Sequence, residues 1–146
     1  MFKIPKDIIR YLSKEDVKII LAHTKKTKPE MYRIIKFALF TGCRREEIIK
    51  ARYEHIKGNE IKIFGKGGKQ RLIELLPQAL EEKQDIGKIF SYKHVSTISN
   101  YFRKLARECN IKARFHDLRH YVESYIMERK PAIILLIGCK FLKHSP

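Results

Sequence analysis

The chain changes hydrophobic period twice, and those changes bound its fold. Up to about Tyr53 the apolar residues recur every three or four positions. Between Glu60 and Leu76 they alternate, and after Ser96 the longer spacing returns. The first pattern is that of a helix with one buried stripe, the second that of a half-buried strand. Spread over 146 residues, this order predicts one domain, mainly α with a small antiparallel β-hairpin sheet.

Residues to about Leu12 read as a lead-in. Ser13 is a helix N-cap with Asp16 three residues on, an approximate capping box, and Val17, Ile20 and Leu21 form the apolar face behind it. Pro29 opens a second helix with Ile34, Ile35, Ala38 and Leu39 as its stripe, and Thr41-Gly42 ends it. A third helix is predicted from about Arg45 to Tyr53. Glu60–Phe64 and Gln70–Leu76 are the two strands, joined by Gly65-Lys66-Gly67-Gly68-Lys69 and stopped by Pro77. Ser96 is read as the cap of a helix carrying Ile98, Phe102, Leu105 and Ala106. A further helix is expected from about Asp117 to Glu128, a break at Pro131, and a last helix from Ala132 toward Leu142.

Charge narrows the partner. Thirty-two Lys and Arg against sixteen Asp and Glu give a formal charge of +16. Such an excess raises self-repulsion in the compact state and suits a polyanion. Nucleic acid leads, an anionic membrane surface follows, and a merely solvated basic surface is the bland alternative. No apolar run approaches the roughly 18 residues that span a bilayer, and the N-terminus lacks the apolar stretch of a signal peptide, so an intracellular protein is expected. Cys43, Cys109 and Cys139 form no C-x-x-C pair, which suggests neither a metal nor a disulfide framework.

Three local patterns carry chemistry: Thr41-Gly42-Cys43-Arg44-Arg45-Glu46-Glu47-Ile48, Gly65-Lys66-Gly67-Gly68-Lys69-Gln70-Arg71, and His116-Asp117-Leu118-Arg119-His120. Arg44 falls at a helix start, where backbone N–H groups also favour an anion. Lys66 lies in a turn whose glycines permit close approach. His116 and Arg119, three apart, point to one side of a helix. Two guanidiniums, an ammonium and an imidazole suit a phosphate, since the arginine fork matches two of its oxygens. Each piece also has an ordinary reading: an Arg44–Glu47 surface pair, a plain hairpin connection, a capping group at a helix start.

Taken together and in order, the three patterns resemble those of tyrosine recombinases, the phage-type integrases. T-G-C-R-R-E-E-I looks like that family's first arginine motif, Gly65–Arg71 like its hairpin lysine motif, and His116–His120 like its H-x-L-R-H box. Leu12-Ser13-Lys14-Glu15-Asp16-Val17 is similar to the usual start of the catalytic domain. The Lys- and Ile-rich tone is closest to archaeal or archaeal-virus integrases. The resemblance covers about residues 11–144 of a single domain spanning 1–146. It implies the tyrosine-recombinase catalytic fold, with the N-terminal core-binding domain absent and the C-terminus truncated.

The resemblance also implies roles. Arg44 and Arg119 would clamp the scissile phosphate and stabilise the charge of its transition state. Lys66 would protonate the leaving 5′ oxygen, and His116 would hydrogen-bond the phosphate or assist proton transfer. Glu47 would orient the arginine helix and His120 would support from behind. No metal and no cofactor is implied, because a covalent 3′-phosphotyrosine keeps the energy of the cleaved bond. The partners implied are double-stranded DNA and, in the complete protein, further copies in a tetramer.

The tail departs from the pattern. Leu142-Lys143-His144-Ser145 aligns with the family's L-G-H-S, which makes His144 the next phosphate contact; Leu136-Ile137-Gly138-Cys139 is the competing alignment, with Cys139 or Lys140 in that place. Under either, the nucleophilic tyrosine falls beyond Pro146. Tyr121 and Tyr125 lie on an apolar helix face and read as core aromatics, and Tyr53, Tyr92 and Tyr101 match no nucleophile motif. The alternative function is therefore a non-catalytic DNA-binding remnant or regulator of a recombinase. Lys69, Arg71, Arg45, Arg103, Lys104 and Arg114 are the expected backbone contacts.

Overall fold

The computed structural model describes residues 12–127, with side chains to Ser124. Its elements run α1 (Lys14–Thr27), α2 (Pro29–Thr41), α3 (Arg45–Lys50), β1 (Ile56–Lys57), β2 (Glu60–Phe64), β3 (Gln70–Glu74), α4 (Val95–Glu108) and α5 (His116–Met127). The mainly α architecture with a small antiparallel sheet is as expected. Among the described residues no helix is long and apolar enough to cross a membrane.

The N-terminal capping box forms in full. The Asp16 N–H donates to the Ser13 hydroxyl at 3.0 Å, and the Ser13 N–H donates to the Asp16 carboxylate at 3.1 Å. That reciprocal pair satisfies two amides that the helix leaves open. Helix α2 begins on Pro29 and ends on Gly42, which adopts φ 70°, so the chain turns sharply just before Arg44. A residue with a Cβ disfavours that left-handed conformation.

Helix α2 is the centre of the domain. Met31, Ile34, Ile35, Phe37 and Leu39 are fully buried on it, and it packs against α1, α3, α4 and α5. From α4 come Ile98, Phe102 and Ala106, and from α5 Leu118, Tyr121 and Val122. Phe37 meets Phe90 edge-on at 5.3 Å, and Phe102 meets Phe115 at 5.6 Å, geometries that suit the ring quadrupoles. The sheet has the order β1-β2-β3, with Ile61 opposite Ile73 and Ile63 opposite Arg71. Ile61 and Ile63 bury one face of β2 in the core, while Lys62 points to solvent.

Several boundaries differ from the sequence reading, each for a local reason. Helix α3 ends at Lys50 and not near Tyr53, because the backbone there bonds to a distant segment. The Tyr53 N–H donates to the Gly87 carbonyl at 2.8 Å, and the Ile89 N–H to the Ala51 carbonyl at 3.2 Å. Tyr53–His55 is a single 3-10 turn. Strand β1 was not foreseen; two residues cannot display a period. β3 stops at Glu74, although the Leu75 N–H still donates to the Asn59 carbonyl at 2.7 Å. Helix α4 starts at Val95 with His94 as its cap, which leaves Ser96 inside the first turn. The break at Pro131 and the helix from Ala132 to Leu142 lie outside the described residues.

Candidate active site

Arg44 stands at the threshold of α3, extended at φ −82° and ψ 159°. Its backbone N–H donates to Glu47 Oε1 at 2.8 Å, the N3-to-cap half of a capping box. The Arg44–Glu47 pairing weighed from sequence is thus made by the backbone. The guanidinium remains exposed and lines both of two adjoining clefts.

Arg119 comes from the first turns of α5. Its Nη1 donates to the Gly42 carbonyl at 3.0 Å, and its Nε lies 3.4 Å from Glu123 Oε2. Those contacts fix the plane of the guanidinium at 22 % side-chain exposure. Like Arg44, it lines both clefts. The two arginines therefore stand on a shared wall, although far apart in sequence.

On one side of that wall the cleft is about 630 Å³ and is bounded by the hairpin: Gly65, Lys66, Lys69, Gln70 and Arg71, with Glu47 at its back. Five cationic side chains face one carboxylate there. Lys66 opens the 3-10 turn Lys66–Gly68, closed by the Gly65 N–H donating to the Lys69 carbonyl at 2.7 Å. Among the described residues, neither the Arg44 guanidinium nor the Lys66 ammonium makes a hydrogen bond or ion pair. Unpaired cations gathered at a concave surface favour an anionic ligand.

On the other side is a cleft of about 320 Å³, lined by Arg45, Ser99, Arg103, Arg114 and His116. Arg45 is held there by a hydrogen bond from its Nη1 to the Ser99 hydroxyl of α4. The start of α5 is set by Asp117, whose carboxylate accepts from the Arg114 N–H at 2.9 Å. His116 is exposed and meets His120 edge-on at 4.6 Å. Desolvation at this spot, then the neighbouring His120 and Arg119, push the His116 imidazole below the usual histidine value. A neutral His116 suits a hydrogen-bond or proton-transfer partner at neutral pH.

The structure brings together Arg44, Lys66, His116 and Arg119, with Lys69 and Arg71 in the hairpin cleft and Arg45, Arg103 and Arg114 in the other. His120 lies behind His116, its Nδ1 3.6 Å from Glu123 Oε1. Lys104 is exposed on α4 and lines neither cleft. His144 lies outside the described residues, as do Cys139 and Lys140. Glu123, which serves both Arg119 and His120, was missed from sequence; its position four residues after Arg119 was the available signal. Cys43, next to Arg44, is buried, and that burial pushes its thiol up to about 11. Among the described residues no group of His, Cys, Asp and Glu could hold a metal ion.

Residues 10–133 match the Phage integrase family. The chain belongs to that family. Solved integrase-like structures share its fold. The XerA recombinase superposes with TM-score 0.72 at 22 % identity, over 92 % of this chain and 56 % of its own. The integrase from mycobacterium phage Brujita gives 0.72 at 23 %, over 86 % and 47 %. A lambda integrase dimer bound to a COC′ core site gives 0.71 at 15 %, over 94 % and 60 %. This integrase-family chain thus spans about half the length of those structures. No curated protein matches its sequence.

Proposed function

We propose that this integrase-family domain performs site-specific DNA cleavage and rejoining through a 3′-phosphotyrosine. The observation that carries the reading is the shared wall: Arg44 and Arg119 border both clefts, with Lys66 on one side and His116 on the other. A scissile phosphate seated on that wall would receive both guanidiniums on its non-bridging oxygens, where charge develops in the transition state. Lys66, on a turn that can approach the backbone, would protonate the leaving 5′ oxygen. His116 would hydrogen-bond the phosphate or pass a proton. Glu47 and His120 support, and Lys69, Arg45, Arg103, Lys104 and Arg114 are the wider phosphate contacts of the same reading. His144 completes the set by resemblance alone.

The nucleophilic tyrosine comes from outside residues 12–127, in cis or from another protomer. Tyr53 and Tyr121 are buried, and Tyr92 and Tyr101 face each other at 5.5 Å. The reading treats the chain as a single catalytic domain with its core at about 11–144, working on duplex DNA inside the cell, as a tetramer when complete. Archaeal or archaeal-virus integrases remain the nearest kin we propose, on the Lys- and Ile-rich composition. A non-catalytic DNA-binding regulator is the second reading.

Nicked suicide duplexes test the choice. The 146-residue chain is run beside a form extended at the C-terminus by a segment bearing the tyrosine, and DNA–protein adducts are sought on a denaturing gel. An adduct only from the extended form, abolished by Arg119→Ala, supports the enzyme. Salt-sensitive DNA binding with no adduct from either form favours the regulator.

A further inference from the structure

We infer that Arg71 is a positioning residue: with Glu47 it latches the lysine turn of the β2–β3 hairpin onto the start of α3. The inference rests on the functional reading above, in which Lys66 and Arg44 must address one phosphate.

Glu47 is a carboxylate at only 8 % exposure, and such a group is costly to bury without partners. Its Oε1 accepts from the Arg44 N–H at 2.8 Å and from Arg71 Nη2 at 2.9 Å. Its other oxygen faces Gly65, where a Cβ would lie 3.4 Å from Oε2. One carboxylate thus touches the backbone that carries Arg44 and residues on both sides of Lys66: Gly65 before the turn and Arg71 after it.

The turn needs such an anchor. Gly67 and Gly68 have φ of 72° and 78°, conformations suited to glycine, and glycine backbone is the least restrained. The Gly65 N–H to Lys69 carbonyl bond ties the turn closed at its base. Arg71 supplies the outside restraint, and a planar fork does so with less loss of freedom per bond than an ammonium. By sequence Arg71 reads as one more phosphate contact. Its guanidinium instead spends a nitrogen on a carboxylate that also caps α3.

The test uses the 146-residue protein, its Arg71→Gln, Arg71→Lys and Glu47→Gln variants and the Gln/Gln double variant. The main readouts are amide hydrogen exchange at residues 65–69 and the log–log salt slope for a fluorescent duplex of arbitrary sequence, with the urea midpoint and the cleavage rate beside them. A latch predicts that Arg71→Gln speeds exchange there by about fivefold, more than the accompanying fall in the urea midpoint accounts for. Arg71→Lys keeps most of the protection, and the double variant is no worse than the worse single. The salt slope stays put. In the suicide-duplex assay with the extended form, Arg71→Gln lowers the cleavage rate at saturating DNA and leaves half-saturation unchanged. The inference is overturned if Arg71→Gln leaves exchange unaltered and lowers the salt slope by about one, as for a phosphate contact, or if the Arg71 and Glu47 effects simply add. If no form binds the duplex, the functional reading falls, and the exchange data still decide the latch.

Discussion

Arg119 Nη1 donates to the Gly42 carbonyl at 3.0 Å, a bond across 77 positions that ties the H-x-L-R-H helix to the turn leading into Arg44. That backbone group links the segments that carry the two arginines of the site. Gly42 can present that carbonyl because it sits at φ 70°. Gly42→Ala should cost about 1–2 kcal/mol through the strained backbone. A clash adds little, since the new Cβ would meet Val122 Cγ1 at an ordinary 3.7 Å. Urea unfolding checks the magnitude, and weaker duplex binding at matched stability would show that the arginine wall has shifted.

Removing either arginine should change salt dependence as well as affinity. Arg44→Ala and Arg119→Ala are each expected to reduce the log–log salt slope by roughly 0.9, the value for one phosphate contact on B-DNA. Lys104→Ala, outside both clefts, should have a smaller effect. Titrating duplex at several ionic strengths measures all three slopes.

His116 makes the protein pH-sensitive in a definite direction. Its folded value lies below the ordinary 6.5, so the unfolded chain takes up the proton first. The stability this site contributes is present above about pH 6.5 and is lost as pH falls through the folded value. His116→Gln should flatten that part of the stability–pH curve. A bound phosphate favours the charged ring, so duplex affinity should rise on acidification more in the parent than in His116→Gln. Ring-proton NMR titration, free and DNA-bound, gives both values directly.

Phe102 supports the site from beneath. It is fully buried on α4 and meets Phe115, the residue just before His116, edge-on. Phe102→Ala should destabilise by about 3–5 kcal/mol, the range for deleting a core aromatic. Calorimetry or denaturant unfolding reads it. Phe102→Leu should recover much of the loss.

Cys43, beside Arg44, should be inert despite its basic neighbours. Its thiol is pushed up to about 11, by burial first of all, and the thiolate is the reactive form. Alkylation at pH 8 should leave Cys43 unlabelled in the folded protein and label it in urea, as peptide mapping can show.

Much of the fold was legible because it is written locally. The Ser13–Asp16 box, Pro29, Gly42 and the alternation across Glu60–Phe64 are each signals within a few residues, and each sits where expected. What failed depended on distant partners. Helix α3 stops early because Ala51 and Tyr53 bond to residues 87–89, and β1 is too short to carry a pattern. At the site, the three motifs were legible as local patterns and by resemblance, while the meeting of Arg44 and Arg119 on one wall needed the tertiary structure. The Glu47–Arg71 pair, 24 positions apart, leaves no periodic trace.

Helix α3 has a consequence in the order of synthesis. At six residues it is too short to persist alone, since helix nucleation is unfavourable and short isolated helices melt. Its cap is shared with Arg71, and the carbonyl ahead of it awaits Arg119. A growing chain thus carries Arg44 before the more distant Arg71 and Arg119 contacts around it can form. The arginine pair that the proposed function requires therefore cannot assemble until the α5 segment, which brings Arg119, has been made.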